Sequence, residues 1–62
     1  MSKSEIIEFI EEIDAQIEKN HKAIAAHGGT AAMILHPTTR LLMDIRETWV
    51  DMLLYEYGVF YK

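Results

Sequence analysis

Three histidines are the residues of this chain best suited to carry out chemistry. His21, His27 and His36 have imidazole side chains, which bind metal ions and transfer protons near neutral pH. His21 and His27 are six residues apart, so they do not share a helix face as ligands four residues apart would. No acidic residue completes a ligand pattern around His36. We therefore predict no metal site and no cofactor.

A cluster of carboxylates near the N-terminus is the other candidate for chemistry. Glu8, Glu11 and Glu12 resemble acid–base machinery, but such work needs carboxyl groups in a cleft that shifts their pKa values. A chain of two helices has no room for a deep cleft, so we interpret the cluster as a solvated helix face and predict that the chain is not an enzyme. The remaining alternative for catalysis is an active site between subunits, formed by histidines of different chains. Glu8 and Glu12 are instead candidates for an acidic surface that docks on a partner.

The chain is too short to bury much surface by itself. It has 62 residues, half of them hydrophobic, and a chain of this mass buries only about 60% of the surface that it exposes when unfolded. Disulfides cannot make up the deficit, because there is no cysteine. We therefore predict self-association into a dimer or a larger assembly.

Composition also bears on the compartment and on the class of partner. A sequence without cysteine suits a reducing compartment, and the acidic amphipathic stretch after Met1 is unlike a signal peptide. The longest apolar runs, over 31–35 and 52–55, are too short to cross a bilayer. The net charge of −4 and the scattered basic residues argue against nucleic acids and anionic membranes as partners. We predict a cytoplasmic protein without membrane association.

The spacing of the isoleucines predicts a first helix over about residues 3–27. Ser2 and Glu5 have the spacing of a capping box, which starts a helix, and the glycine pair at 28–29 ends it. Between these signals the apolar residues follow one another at steps of four and three, which is the pattern of a heptad seam. The seam consists of Ile6, Ile10, Ile13, Ile17 and Ile24, with Asn20 in the one vacant position.

Asn20 leaves two interpretations open. A lone polar residue in an apolar seam often fixes the register or the number of helices in a bundle. In the other interpretation the helices have separated before the bend and Asn20 faces water. We weigh the two equally.

A second helix is predicted over about residues 37–57, after a turn and connector over 28–36. Within the connector, either Thr30 caps a single helical turn or the apolar segment is irregular. His36 precedes a proline and is pushed away from helical geometry, whereas Pro37 suits the first position of a helix. Gly58 ends this helix, and the short tail over 58–62 either folds back or contacts another subunit.

The second helix is apolar around most of its circumference, so it needs neighbours on two sides. These patterns predict an all-α fold: a single small domain over residues 1–62, in which two long helices form a helical hairpin, with or without a short helix at the bend. We expect the hairpins to pack as an oligomeric bundle. The predicted self-association surface comprises the six positions of the first seam together with Leu42, Ile45, Trp49, Met52 and Leu53.

Four residues of the second helix and the tail are further candidates for contact with a partner. Tyr55 extends the polar stripe of the second helix, which consists of Arg40, Asp44, Glu47 and Asp51. Arg46 lies beside that stripe, where it can pair with a carboxylate of a partner. Phe60 and Tyr61 add aromatic area of the kind that dominates binding hot spots.

The second half of the chain, from about residue 28 to 58, has its own order of features. A glycine turn leads through a connector to a proline step and a long helix with a glycine stop; the residues are Gly29, His36-Pro37, Leu41, Trp49, Leu53 and Glu56-Tyr57-Gly58. This order resembles the C-terminal part of phage terminase small subunits. The resemblance implies an oligomerising helix and an origin in a phage or mobile element.

The leading functional prediction is a non-catalytic protein-binding module. In this hypothesis a small acidic helical protein acts as an inhibitor, adaptor or regulator of another protein, for example by blocking a host enzyme or defence system. The alternative is a self-assembling unit of a larger machine such as phage DNA packaging. A second alternative, a nucleic-acid-binding regulator, requires Lys19, Lys22, Arg40 and Arg46 to converge on one surface of the assembled oligomer.

Overall fold

The first helix starts at a complete capping box, as the spacing of Ser2 and Glu5 predicts. In the computed structural model, which describes residues 1–61, the Ser2 hydroxyl accepts a hydrogen bond from the Glu5 backbone N–H at 3.2 Å. The Glu5 carboxylate accepts one from the Ser2 backbone N–H at 2.9 Å. The hydrogen bond from the Ser2 backbone N–H, and after it one with the Ser2 side chain, lower the pKa of the Glu5 carboxyl. Helix α1 runs from Lys3 to His27.

A single glycine connects the two helices. Gly28 has φ 69° and ψ −139°, a conformation that is essentially restricted to glycine. Its N–H donates to the Ile24 carbonyl at 2.8 Å, and its carbonyl accepts from the Ala32 N–H at 2.9 Å. The same residue therefore ends α1 and begins α2, which runs from Gly29 to Tyr57.

The predicted connector over 28–36 is wrong beyond Gly28, because α2 begins at Gly29 and contains Pro37 in its interior. Local preference favours a break at this point, since proline lacks the N–H that would bond to the Met33 carbonyl and disfavours helical geometry at His36. Packing overrides this preference. The first turns of α2 half-bury the side chains of Ala31, Ala32 and Leu35.

A left-handed glycine ends α2 and turns the tail back onto the hairpin. Gly58 has φ 66° and ψ 22°, and its N–H donates to the Leu54 carbonyl at 2.9 Å, while the Val59 N–H donates to the Leu53 carbonyl at 3.3 Å. Val59 and Tyr61 then pack against the core. Of the two alternatives for the tail, folding back is therefore the one observed. Lys62, the last residue of that predicted tail, lies outside the described residues.

The two helices pack against each other as an antiparallel hairpin of 40 × 18 × 15 Å, which confirms the all-α helical hairpin. Packing into an oligomeric bundle stays a prediction. At the open end of the hairpin, the Tyr57 hydroxyl donates to the Met1 carbonyl at 2.6 Å. Within residues 1–61, neither helix has an apolar stretch of the length that a bilayer crossing requires.

The core is small and lies towards the end of the hairpin that carries the chain termini. The side chains of Ile6, Ile10 and Leu53 are fully buried, and Ile13 is 6% exposed. Partly buried apolar side chains surround them; these are Ile7, Trp49, Val50, Met52, Val59 and Tyr61. A pair of helices thus encloses one short row of side chains and leaves the rest at the surface.

Replacing Gly28 by alanine is expected to destabilise the protein by about 1–2 kcal/mol, because an L-residue is strained at this φ. Space is not the cause, since an added Cβ would meet no atom within 4 Å. Gly29→Ala is the matched control: it also has open space, and its backbone is helical, so it should leave stability unchanged or slightly raised. Urea unfolding followed by circular dichroism measures both variants. Equal effects of the two substitutions would contradict the assignment of the turn to Gly28.

Candidate interaction surface

A polar layer crosses the hairpin at Asn20. This side chain is 5% exposed, and its Nδ2 donates to the Oγ1 of Thr39, itself buried in α2, at 3.1 Å. Gln16 Nε2 donates to Asn20 Oδ1 at 2.9 Å. The interpretation in which Asn20 faces water is therefore wrong. A buried amide that finds its partner only at one alignment of the helices favours that register.

A second polar cluster holds the tail. The Arg46 Nε donates to one carboxylate oxygen of Asp14, and the Tyr61 hydroxyl donates to the other at 3.4 Å. The Arg46 guanidinium also lies 5.5 Å from the centre of the Tyr61 ring, within the range of a cation–π contact. Arg46 and Tyr61, predicted as partner contacts, are thus engaged within the chain. This engagement could not be predicted from the sequence, because Asp14 is distant from both residues along the chain.

Burial raises the pKa of the Tyr61 phenol, and the negative charges of Asp14 and Glu11 raise it further. The hydroxyl therefore keeps its proton, and with it the hydrogen bond to Asp14, above the ordinary range for a tyrosine. We call Asp14, Arg46 and Tyr61 the tail clasp.

The predicted self-association residues separate into two groups. Ile6, Ile10, Ile13, Asn20 and Leu53 are buried between the two helices of one chain, so they have almost no surface left for a second subunit. The others keep part of their surface exposed; these are Ile17, Ile24, Leu42, Ile45, Trp49 and Met52. Of the predicted residues, this second group is the part that can contact another subunit while the hairpin stays intact.

Two further apolar residues, Ile34 and Leu41, belong to a row along one flank of α2. Ile34 is 64% exposed and Leu41 is 60% exposed. Ile45 and Met52 continue the row at steps of four and seven residues and are half-buried. The heptad spacing of these residues is visible in the sequence. Because α2 is apolar around most of its circumference, however, the spacing does not show which of its apolar rows α1 leaves exposed.

Trp49 joins this row to α1. It follows Ile45 by one turn, and its ring meets the ring of Phe9 edge to face, with the centroids 5.3 Å apart and the planes at 73°. Both aromatic side chains are half-buried. We call the combined surface the open face; it consists of Phe9 of α1 and Ile34, Leu41, Ile45, Trp49 and Met52 of α2.

Carboxylates border the open face. Glu5 and Glu12 lie one turn before and after Phe9 on α1, and Glu56 lies one turn after Met52 on α2. All three side chains are exposed, and none of them pairs with a basic side chain among residues 1–61. The open face is therefore apolar in the middle and negative at its edges.

The other predicted partner contacts are at the surface. Tyr55 is 82% exposed and Phe60 is 85% exposed, and Glu8 is exposed on α1. Tyr55 follows Met52 by three residues, which places it beside the open face. Phe60 belongs to the tail, where its neighbours Val59 and Tyr61 face the core instead.

The opposite side of the hairpin holds a hollow of about 300 Å³. Its lining consists of His21, His36, Thr39, Arg40 and Met43. The antiparallel hairpin brings the two histidines together, which the sequence analysis did not foresee because they lie on different helices. Two imidazoles beside a guanidinium favour an anion over a cation. His27 is exposed at the end of α1, and no group of three or more His, Asp or Glu within residues 1–61 is placed to hold a metal ion.

The basic side chains considered for nucleic-acid binding have different surroundings in the hairpin. Arg46 faces Asp14 in the tail clasp, and Arg40 lines the hollow. Lys22 lies 3.9 Å from Glu18 on the exposed side of α1, and Lys19 is also exposed there. Whether these side chains come together on the surface of an assembled oligomer, as a nucleic-acid-binding regulator requires, stays a prediction.

Replacing Asn20 by alanine is expected to cost about 1–3 kcal/mol, because the buried Thr39 hydroxyl loses the Asn20 amide as its partner. Replacing both residues, with Asn20→Leu and Thr39→Val, removes the two polar groups together and should cost less than the single change. Urea unfolding of the three proteins measures the difference. A double variant less stable than Asn20→Ala would show that the polar layer matters for packing and not for hydrogen bonding.

The tail clasp makes stability depend on pH in a defined direction. Since the pKa of Tyr61 is raised on folding, its contribution is complete below the ordinary tyrosine pKa of about 10 and is lost as the pH rises through the higher value of the folded state. The difference in unfolding free energy between the wild type and Tyr61→Phe should therefore shrink in that range.

Urea unfolding at a series of alkaline pH values measures this difference, and Tyr55→Phe, which alters an exposed phenol, is the matched control. If the difference between the wild type and Tyr61→Phe were constant with pH, the phenol would not be the group that titrates in the clasp.

The chain matches no protein-family model, no curated protein and no solved structure. The resemblance to terminase small subunits therefore stays a prediction.

Proposed function

We propose that this chain is a non-catalytic protein-binding module, a small acidic helical hairpin that acts as an inhibitor, adaptor or regulator of another protein in the cytoplasm. The observation that carries the proposal is the open face, a row of apolar side chains that the hairpin covers only in part. Exposed apolar surface with a polar border commonly marks an interaction site on a small protein.

The amount of exposed surface supports this proposal. The chain exposes 4602 Å², whereas a compact monomer of the same 7.2 kDa would expose about 4,100 Å² by the usual scaling with mass. Among residues 1–61 only three apolar side chains are fully buried, although half of the residues of the chain are hydrophobic. Contact with another protein would remove from water the apolar area that two helices cannot hide.

The placement of the polar residues agrees with a binding role. Glu8, Glu11 and Glu12 are exposed on α1 and do not line a cleft. His21 and His36 line the hollow but have exposed side chains, and the hollow contains no carboxylate to orient either imidazole. These side chains lack the enclosed surroundings that acid–base catalysis uses.

Self-assembly is the second candidate function, and the heptad spacing of the row from Ile34 to Met52 favours it. Such a row packs against a like row in helical bundles. The hairpin would then serve as an oligomerising unit of a larger machine, as the resemblance to terminase small subunits suggests. In this case the partner of the open face is the protein itself.

A matched pair of variants tests whether the open face is a binding surface. Leu41→Glu places a charge on the open face, and Met43→Glu, two residues along, places the same charge beside the hollow. Both residues are partly exposed, at 60% and 44%, so neither change should unfold the hairpin. We expect a protein from the native host cells to be retained by the immobilised wild type and Met43→Glu, and to be retained at least tenfold less by Leu41→Glu.

Light scattering on a size-exclusion column separates the two candidates. A monomer whose captured protein depends on Leu41 supports binding to another protein. An oligomer that Leu41→Glu dissociates, with no other protein retained, supports self-assembly. A stable monomer that retains nothing on any of the three baits would contradict both.

A further inference from the structure

The structure also indicates what kind of partner the open face fits. We propose that it binds an amphipathic α-helix of another protein, with Lys or Arg along the borders of its apolar stripe, so that the complex is a three-helix bundle. This inference rests on the proposed function and adds the chemistry of the partner to it.

The backbone of the hairpin limits the partner to a segment that satisfies its own hydrogen bonds. Within α1 and α2 the peptide groups bond along each helix, so the open face offers side chains and no strand edge. An extended segment laid on it would leave its own N–H and C=O groups without partners where water is excluded. A partner helix has no such cost, because its peptide groups bond to one another. Apolar rows at heptad spacing commonly bind an amphipathic helix in this way.

The dimensions of the open face suit one helix of ordinary length. From Ile34 to Met52 the row covers eighteen residue steps, which at 1.5 Å per residue is about 27 Å or five turns. Phe9 and Trp49 provide an aromatic wall at the junction of the two helices. On the other side of the hairpin, the tail and its clasp already cover the core end. The side that carries the open face is therefore the one left for a third helix.

The charges at the border favour a basic partner over a second copy of this chain. Glu12 and Glu56 are exposed there without a basic partner among residues 1–61. A second copy would bring the same carboxylates and, on the matching edge of α1, only Lys19, which follows Glu12 by seven residues. Lys or Arg on a partner helix would pair with these carboxylates, whereas an acidic flank would be repelled.

Two synthetic helical peptides of about 20 residues test the proposal directly. Both carry Leu at heptad positions; the first has Lys at the flanking positions and the second has Glu in their place. We expect the Lys peptide to bind the full chain at least tenfold more tightly than the Glu peptide by calorimetry. It should shift the NMR signals of Ile34, Leu41 and Trp49, and leave those of the residues around the hollow unchanged.

Variants of the chain then locate the charges. The double change Glu12→Lys with Glu56→Lys should reverse the preference between the two peptides. The control, Glu18→Lys with Glu47→Lys, makes the same change in net charge at exposed positions outside the open face and should keep the preference for the Lys peptide. Circular dichroism of both variants confirms that the helices are retained.

Three outcomes would overturn the inference. In the first, both peptides bind the open face equally; in the second, neither binds to a monomeric chain; in the third, the chain is a stable dimer whose open face is already covered by a second copy. If one of these is found while a host protein is still retained in a Leu41-dependent manner, the basic helix is excluded and the protein-binding function stands. If, in addition, no host protein is retained in a Leu41-dependent manner, both proposals fail.

Discussion

Two helices that pack side by side share a single line of contact, and the rest of this structure depends on that constraint. Each helix can direct only one narrow stripe towards the other. Ile6, Ile10 and Leu53 occupy this line at one end of the hairpin, and Asn20 with Thr39 occupies it further along. Everything else that is apolar must be covered by the tail, by another molecule or by water.

The chain satisfies this constraint differently on its two sides. On one side the tail returns over the core, and Asp14, Arg46 and Tyr61 hold it with hydrogen bonds and a cation–π contact. The charge of Asp14 is thereby compensated within the molecule. On the other side the aromatic pair Phe9–Trp49 is only half-buried. The carboxylates around this pair form no ion pair with a basic side chain among residues 1–61. The asymmetry between a closed side and an open side is what gives the hairpin a candidate binding surface.

Features that depend on neighbours in sequence were predictable, and features that depend on the pairing of the helices were not. The capping box at Ser2, the isoleucine seam and the glycine ends follow from local rules of helix formation. The start of α2 was predicted wrongly at Pro37, because the local cost of proline was given more weight than the packing of Ala31 and Leu35. Arg46 was predicted to be a partner contact because nothing in the sequence shows that Asp14 lies opposite to it.

The one-residue turn at Gly28 has an architectural consequence. Because the helices reverse direction there without a loop, the start of α1 and the end of α2 lie together at the far end of a rod 40 Å long, where Tyr57 contacts Met1. A hairpin of this form can be grafted into a surface loop of an unrelated scaffold through two short linkers. The scaffold would then present the Gly28 tip outwards and leave the long sides of the rod accessible.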